Sequence, residues 1–282
     1  MDKSELQAAL QNAGFSSLVK DIDSVARWSI RLTSTSADEA NLAVGASKLG
    51  GVPDLPVDVS WPEWKGLPQS FVAQFRLADL HDYDRENLLP AQGMLWFFYD
   101  AKQEIYGEDP KDAGGWRVFY KEDAPSLQRA TVPAKLPKKS RFHACALAFS
   151  SELTLPLEPQ LVVSGLEWTD QDQEKYDAFL STYPSADDHA QIHNRLLGHS
   201  NTLQDDMRQQ CQLVSNGFTD PDDPQAKKLL PGATEWSLLF QVDSDENANI
   251  QWASTGMLYY WIKKADLQER HFDRTWLVLQ SE

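Results

Sequence analysis

Lys48-Leu49-Gly50-Gly51-Val52-Pro53-Asp54-Leu55-Pro56, Phe71-Val72-Ala73-Gln74-Phe75 and Gly93-Met94-Leu95-Trp96-Phe97-Phe98-Tyr99 make up one stretch whose parts return later in the same order. The later set is Arg195-Leu196-Leu197-Gly198, then Trp236-Ser237-Leu238-Leu239-Phe240-Gln241-Val242, then Gly256-Met257-Leu258-Tyr259-Tyr260-Trp261-Ile262. Each set runs from a glycine turn to an apolar strand carrying one glutamine, then from Gly-Met-Leu into an aromatic strand. Ordered recurrence marks a duplicated unit whose copies bury their apolar faces together. It predicts an α+β fold, a strand-rich pseudo-symmetric single body over residues 1–282, built from two related β-sheet units with flanking short helices. The units span approximately 42–128 and 142–282, and a connector at 129–141 joins them.

Outward from this core, residues 4–13 read as an amphipathic helix with Ser4 as cap and Gly14 at its end, and Ser17 to Val25 as a second short helix. Arg27 to Leu32 alternates polar and apolar as a half-buried strand does, and Thr33 to Asp38 reads as a polar loop. Gly50 to Pro68 holds too many glycines and prolines for a helix or central strand and predicts an ordered loop pinned by Trp61 and Trp64. Met94 to Tyr99 has no polar alternation and predicts a strand covered on both faces, with Trp116 to Tyr120 beside it. The connector carries Arg129, Lys135, Lys138, Lys139 and Arg141, and its charge is expected to fold back on the acidic second half. Further on, Phe142 to Phe149 and Cys211 to Val214 read as strands, and Thr169 to Ser181 and Asp187 to Leu197 as helices. Lys264 to Gln268 reads as a short helix and Trp276 to Leu279 as the last strand.

The net charge is −16, and it is unevenly spread. Residues 1–150 hold 17 Lys and Arg against 20 Asp and Glu, and residues 151–282 hold 9 against 22. Such a field repels phosphate backbones and anionic lipid, so nucleic-acid and membrane binding are disfavoured and a basic protein is attracted. No apolar run approaches the ~20 residues of a membrane span, and a cytoplasmic location is expected. Cys145 and Cys211 sit in apolar surroundings and read as buried thiols.

Catalytic signatures are missing: there is no Gly-x-Ser-x-Gly elbow and no phosphate-cradling glycine loop. The chain therefore reads as non-enzymatic, and no cofactor is expected. His189 and His193, four apart on the expected helix, are the weak metal candidates, because no further ligand is fixed by spacing. Asp243 to Asn249 alternates oxygen donors, but Ala248 stands where an EF-hand needs glycine, so a hairpin loop explains it better. Most of the ten tryptophans fall on strands, where core packing is their usual use.

Taken together, the Lys48 to Pro56 stretch with Trp61-Pro62, Ala73-Gln74-Phe75, Leu89-Pro90 before Gly93-Met94-Leu95, and His193 to Gly198 followed by Gln204-Asp205 resemble the YwqG-like family of bacterial domains of unknown function. Leu239 to Asp245 before Gly256-Met257-Leu258-Tyr259 completes the set, which spans roughly Leu42 to Leu279. The chain departs from that pattern at Ser200, where the family carries proline, and at Trp252-Ala253-Ser254-Thr255-Gly256, where it often carries an aspartate. The resemblance implies an α+β fold with an internal repeat and no established activity, and a setting near bacterial toxin systems.

The function expected from all this is an acidic protein-binding module, of the kind an immunity protein uses to neutralise a basic toxin. Its partner contacts would be Asp187, Asp188, Asp205, Asp206, Asp222 and Asp223. The alternative is a small-ligand or metal-binding protein or enzyme with a pocket between the repeats, lined by Gln74, Gln241, Trp96 and Tyr259.

Overall fold

A computed structural model describes residues 2–124, 126–163, 165–183 and 192–281. Fourteen strands are found there. They are β1 Arg27–Ser36, β2 Lys48–Leu49, β3 Asp54–Pro56, β4 Glu63–Trp64, β5 Leu67–Pro68, β6 Ser70–Arg76, β7 Met94–Tyr99, β8 Trp116–Lys121, β9 Leu127–Arg129, β10 Cys145–Thr154, β11 Asn194–Leu197, β12 Trp236–Asp243, β13 Gly256–Lys263 and β14 Trp276–Ser281. The helices are α1 Lys3–Asn12, α2 Val19–Val25, α3 Leu77–Leu80, α4 Asp170–Leu180, α5 Met207–Val214, α6 Pro224–Leu229 and α7 Lys264–Gln268. Strands and helices mix in one α+β body.

Ten strands form a single antiparallel sheet in the order β14-β13-β12-β11-β1-β10-β2-β6-β7-β8. Its centre is the long β1–β10 pair, from Arg27 opposite Thr154 to Ser36 opposite Cys145. β1 carries Arg31 beside Arg195 of β11, while β10 carries Ala146 beside Lys48 of β2. A twofold axis at Thr33 opposite Ala148 relates these pairings. Two arms therefore leave the centre, β2-β6-β7-β8 and β11-β12-β13-β14. Each arm is hydrogen-bonded to the central strand belonging to the other half of the chain. Even the irregularities correspond, with a register shift between Phe71 and Ala73 in β6 and between Leu238 and Phe240 in β12.

The inner faces of the arms meet in an aromatic core. Phe97 and Phe240 have ring centroids 4.8 Å apart, Phe75 lies 5.3 Å from Phe240, and Tyr260 lies 5.0 Å from Phe97. Tyr260 also donates its hydroxyl to the Phe98 carbonyl at 3.2 Å, so one arm is bolted to the other. Each ring pair adds about 0.5–1.5 kcal/mol beyond its burial. A second cluster, with Phe15, Trp168, Tyr176 and Phe179, packs α1, α2 and α4 beside the ends of the central strands. On the outer face of the first arm Trp96, Phe98 and Phe71 are covered by Leu55, Val59, Trp61 and Leu127.

Several local expectations are corrected. α1 is capped by Asp2, whose carboxylate accepts from Glu5 N, and Ser4 instead donates to that carboxylate. β1 runs on through the expected loop to Ser36, because β10 pairs with it over its whole length. β10 begins at Cys145 and reaches Thr154 rather than ending at Phe149. Cys211 to Val214 is helical, not extended: Asp206 caps α5, and Met207, Cys211 and Val214 share a buried stripe at helical spacing. Residues 194–197 of the expected Asp187–Leu197 helix form β11, recruited by sheet neighbours on both sides, and 184–191 lie outside the described residues. Arg129 turns to the first arm, binding Asp54 at 3.0 Å and the carbonyls of Glu39 and Leu42, rather than to the acidic second half.

Candidate functional site

The glutamines at the heart of both repeats hold turns. Lys48 faces Gln74 across β2 and β6, and Arg195 faces Gln241 across β11 and β12. Six positions after each cation comes the residue that closes the amide. Gln74 accepts from Asp54 N and donates to Asp54 Oδ2, both at 2.8 Å, while Gln241 accepts from Asn201 N at 2.8 Å and donates to Asn201 Oδ1 at 3.0 Å. Trp96 Nε1 then donates to the Asp54 carbonyl at 2.9 Å, and the Tyr259 hydroxyl to the Asn201 carbonyl at 2.5 Å. Between cation and closing residue the chain makes the same left-handed turn, with φ of +63° and +75° at Gly50 and Gly51 and +63° and +73° at Leu197 and Gly198. Each cation also caps the carbonyl four positions on, Lys48 that of Val52 and Arg195 that of His199. Gln74, Gln241, Trp96 and Tyr259 are all fully buried in these two frames, on outer faces, and border neither of the cavities described next.

The frames differ in charge. In the first arm buried Lys48 lies 3.3 Å from buried Asp54, and Glu39 and Arg129 complete the cluster. Burial pushes the Asp54 carboxyl up, but Arg129, the Gly45 amide, Lys48 and Gln74 together hold it below the usual carboxylate value. In the second arm the neutral Asn201 takes the place of Asp54, and Arg195 finds its carboxylate in Glu152 at 3.4 Å.

Outside each turn lies a cavity. The second-arm cavity, about 410 Å³, is bounded by Gly198 and His199 of the turn, by Trp236 and Leu238 of β12 and by Trp261 of β13. The first-arm cavity, about 440 Å³, is bounded by the corresponding Gly51 and Val52, by Phe71 and by Trp61. Phe71 pairs with Phe98 as Leu238 pairs with Trp261. In the first arm the chain places its own indole there: Trp61 meets Phe98 edge-on at 5.9 Å and donates Nε1 to the Gln69 carbonyl. In the second arm no ring among the described residues packs on Trp261, and its buried indole N–H meets no acceptor among them. The mouth carries Leu88, Leu157 and Leu161, which are 37%, 44% and 47% exposed.

Charged groups line the second-arm cavity, but each cation is already held. Arg27 donates to the carbonyls of Ser24 and Ala26, Arg208 grips Asp206 with two nitrogens, and Lys264 donates to the Thr234 carbonyl. His199 donates Nε2–H to the Val25 carbonyl at 2.7 Å, which leaves Nδ1 as an acceptor. Removal from solvent lowers its pKa to about 4, with Arg27, Arg208 and Arg195 adding to the effect, so the ring is neutral at pH 7. The lining thus joins apolar side chains to charges of both signs: Arg27 and Lys264 are bonded to neutral carbonyls and keep their charge, and Glu86, Glu158, Asp205 and Asp206 border the same cavity.

The remaining sequence candidates are dispersed. Asp205 and Asp206 border the second-arm cavity, and Asp206 also caps α5. Asp223 caps α6, and Asp222 is exposed with Lys227 at 3.0 Å; neither borders a cavity. Asp187, Asp188 and His189 lie outside the described residues. His193 is buried before β11, its Nδ1 3.0 Å from Arg31 Nη1, and it is not helical. Asp245 of the oxygen-rich loop is spent on Ser34, Asn194 and the Asn247 amide. Both cysteines are buried and free, and burial pushes Cys145 up to about 12.

Sequence reasoning noticed His199 only for its spacing from His193, and gave no cavity role to it, to Trp236 and Trp261 or to the three exposed leucines. The signal available was Leu157 and Leu161, two large apolar residues set among Pro156, Pro159 and acids, outside any periodic pattern. Among curated proteins, none matches the chain. A family model described as Domain of unknown function (DUF1963) matches residues 47–281, which takes in both arms and both turn frames, and the chain belongs to that family.

Proposed function

We propose that this protein is a binding protein that takes a small, largely apolar ligand into the second-arm cavity. The observation that carries the reading is the cavity itself: about 410 Å³, with the buried Trp236, Leu238 and Trp261 among the residues that border it and three exposed leucines in its lining. Ligand pockets are of this size and combine apolar side chains with placed polar and charged groups. Three of the six large apolar side chains exposed among the described residues gather at this one opening. A thermal-shift screen of small apolar and aromatic metabolites tests the reading. Compounds at 100 times their Kd stabilise by about 2.7 kcal/mol, and the shift should vanish in Leu161→Asp or in the cavity-filling Leu238→Trp. Hits that shift all three proteins equally, or none at all, would count against it.

A second reading keeps the acidic surface as the working part. Asp205 and Asp206 stand beside the apolar mouth, a pairing that suits a basic protein presenting an apolar anchor. In that reading the chain is a YwqG-like member of its family, cytoplasmic and bacterial, and acts as an immunity protein against a basic toxin. Asp187, Asp188, Asp222 and Asp223 would extend the contact. Affinity capture from the native host at low and moderate salt separates the two: a basic partner lost on Asp205→Asn and Asp206→Asn favours this one.

A further inference from the structure

We propose that the first-arm cavity is a second binding site, and that it takes an amphipathic carboxylate whose apolar body lies in the cavity and whose head group sits on Arg141. The site is separate from the second-arm cavity and does not depend on the reading given above. The cavity, about 440 Å³, has Trp61, Phe71, Val132, Leu136 and Phe142 in its lining, and Trp61 and Val132 are partly exposed. Much of the lining comes from the connector and the residues just after it. There Leu136 and Ser140 are buried, while Arg141 and His143 stand exposed.

Charge separates the two cavities. Glu86, Glu158, Asp205 and Asp206 border the second-arm cavity, whereas the segment that supplies Val132 to Ala144 of the first-arm lining, residues 124–151, holds Arg129, Lys135, Lys138, Lys139 and Arg141 and no Asp or Glu. Arg129 is bound to Asp54, and the other four make no ion pair among the described residues. In a chain of net charge −16 this is a local reversal of the field, and it draws anions. Two carboxylates do border the cavity. Glu39 is held by Lys48 at 2.7 Å and Arg129 at 3.2 Å, and Asp38 accepts from Ala40 N. Arg141 is set for a carboxylate. Its Nε and Nη2 donate to the Leu136 carbonyl at 3.1 and 2.6 Å, which fixes the guanidinium without neutralising it. Nη1 and the second Nη2 hydrogen meet no partner among the described residues, and together they form the fork that grips a carboxylate with two bonds. A guanidinium already positioned gives up less rotamer freedom when it binds.

Titration calorimetry of the full chain with octanoate, 1-octanol and octylammonium tests this, because the three share an apolar chain and differ in head-group charge. Octanoate should bind about tenfold more tightly than octanol, the low end for a hydrogen bond to a charged group, and octylammonium more weakly than octanol. In wild type the octanoate advantage should shrink as salt is raised. Arg141→Gln, which removes the charge and keeps a hydrogen-bonding side chain, should erase the advantage and leave octanol affinity unchanged. Leu161→Asp, at the other cavity, should alter none of the three. Octanoate that fails to bind or binds no more tightly than octanol, an advantage indifferent to salt or surviving Arg141→Gln, or octanoate binding lost in Leu161→Asp would each overturn the inference. None of these results would touch the ligand reading of the second-arm cavity.

Discussion

The two arms hold the same turn with different chemistry and finish the same outer corner in different ways. The first closes its frame with a buried ion pair, Lys48 and Asp54, and covers Phe98 with Trp61. The second closes its frame with a neutral amide, Asn201, and has Trp261 at the position of Phe98, without an aromatic partner from a loop like that of Trp61 among the described residues. The difference teaches that the repeat fixes the turn and the strand register but not the charge that holds them. In the first arm the cluster fixes one geometry because each buried charge has a partner.

The largest effect expected from this contrast is on stability. Lys48→Ala takes a buried cation from a cluster in which Asp54 keeps Arg129, and it uncaps the Val52 carbonyl; it should cost about 3 kcal/mol, the low end for breaking a buried pair, read from urea unfolding. The corresponding neutral position is cheaper: Asn201→Ala removes an amide from Gln241 and should cost about 1–3 kcal/mol. Equal costs at the two positions would break the distinction between a charged and a neutral frame.

Acid should find the second arm first. The His199 pKa is lowered from 6.5 to about 4 in the fold, so between those values the unfolded chain binds a proton that the folded chain refuses. Stability therefore falls as pH drops from 6.5 towards 4, by on the order of 2–3 kcal/mol. His199→Gln should flatten that part of the profile. Asp54 acts lower. Its carboxyl is held below its ordinary 3.8, so its contribution is whole above that value and is lost as pH falls through the folded pKa. Unfolding curves at a series of pH values distinguish the two windows, and a single transition insensitive to His199→Gln would contradict the assignment.

The smallest effect on stability falls at the mouth. Leu161→Asp changes an exposed side chain and should leave unfolding within about 0.5 kcal/mol of wild type, while ligand-induced shifts disappear. The split between a silent fold and a lost ligand sharpens the idea that the second corner serves binding.

Much of the architecture was legible because the repeat is written in residues whose roles are local. Gly50-Gly51, Gln74 and Gly93-Met94-Leu95 announce a turn, a buried amide and a strand start, and their later counterparts do the same. What misled was tertiary override. Asn194 to Leu197 follow a segment with helical spacing but lie between β1 and β12, and the sheet decides their conformation. Leu197 holds φ +63° where the first arm uses glycine, which no local rule favours. The cavity was hidden for a different reason. Trp261 has the same strand position as Phe98, and which residues gather around each is decided by loops distant in sequence, which a strand pattern does not reveal.

The central claim is that the second-arm cavity takes a ligand. Proton–nitrogen spectra of the backbone amides, recorded while a hit from the thermal-shift screen is titrated into the full chain, address it directly. The shifts should gather at Gly198, His199, Ser237 and Lys264, which border that cavity, while Gly51 and Val52 at the first-arm cavity stay in place. Shifts confined to the first-arm cavity, or spread equally over both, would contradict the account.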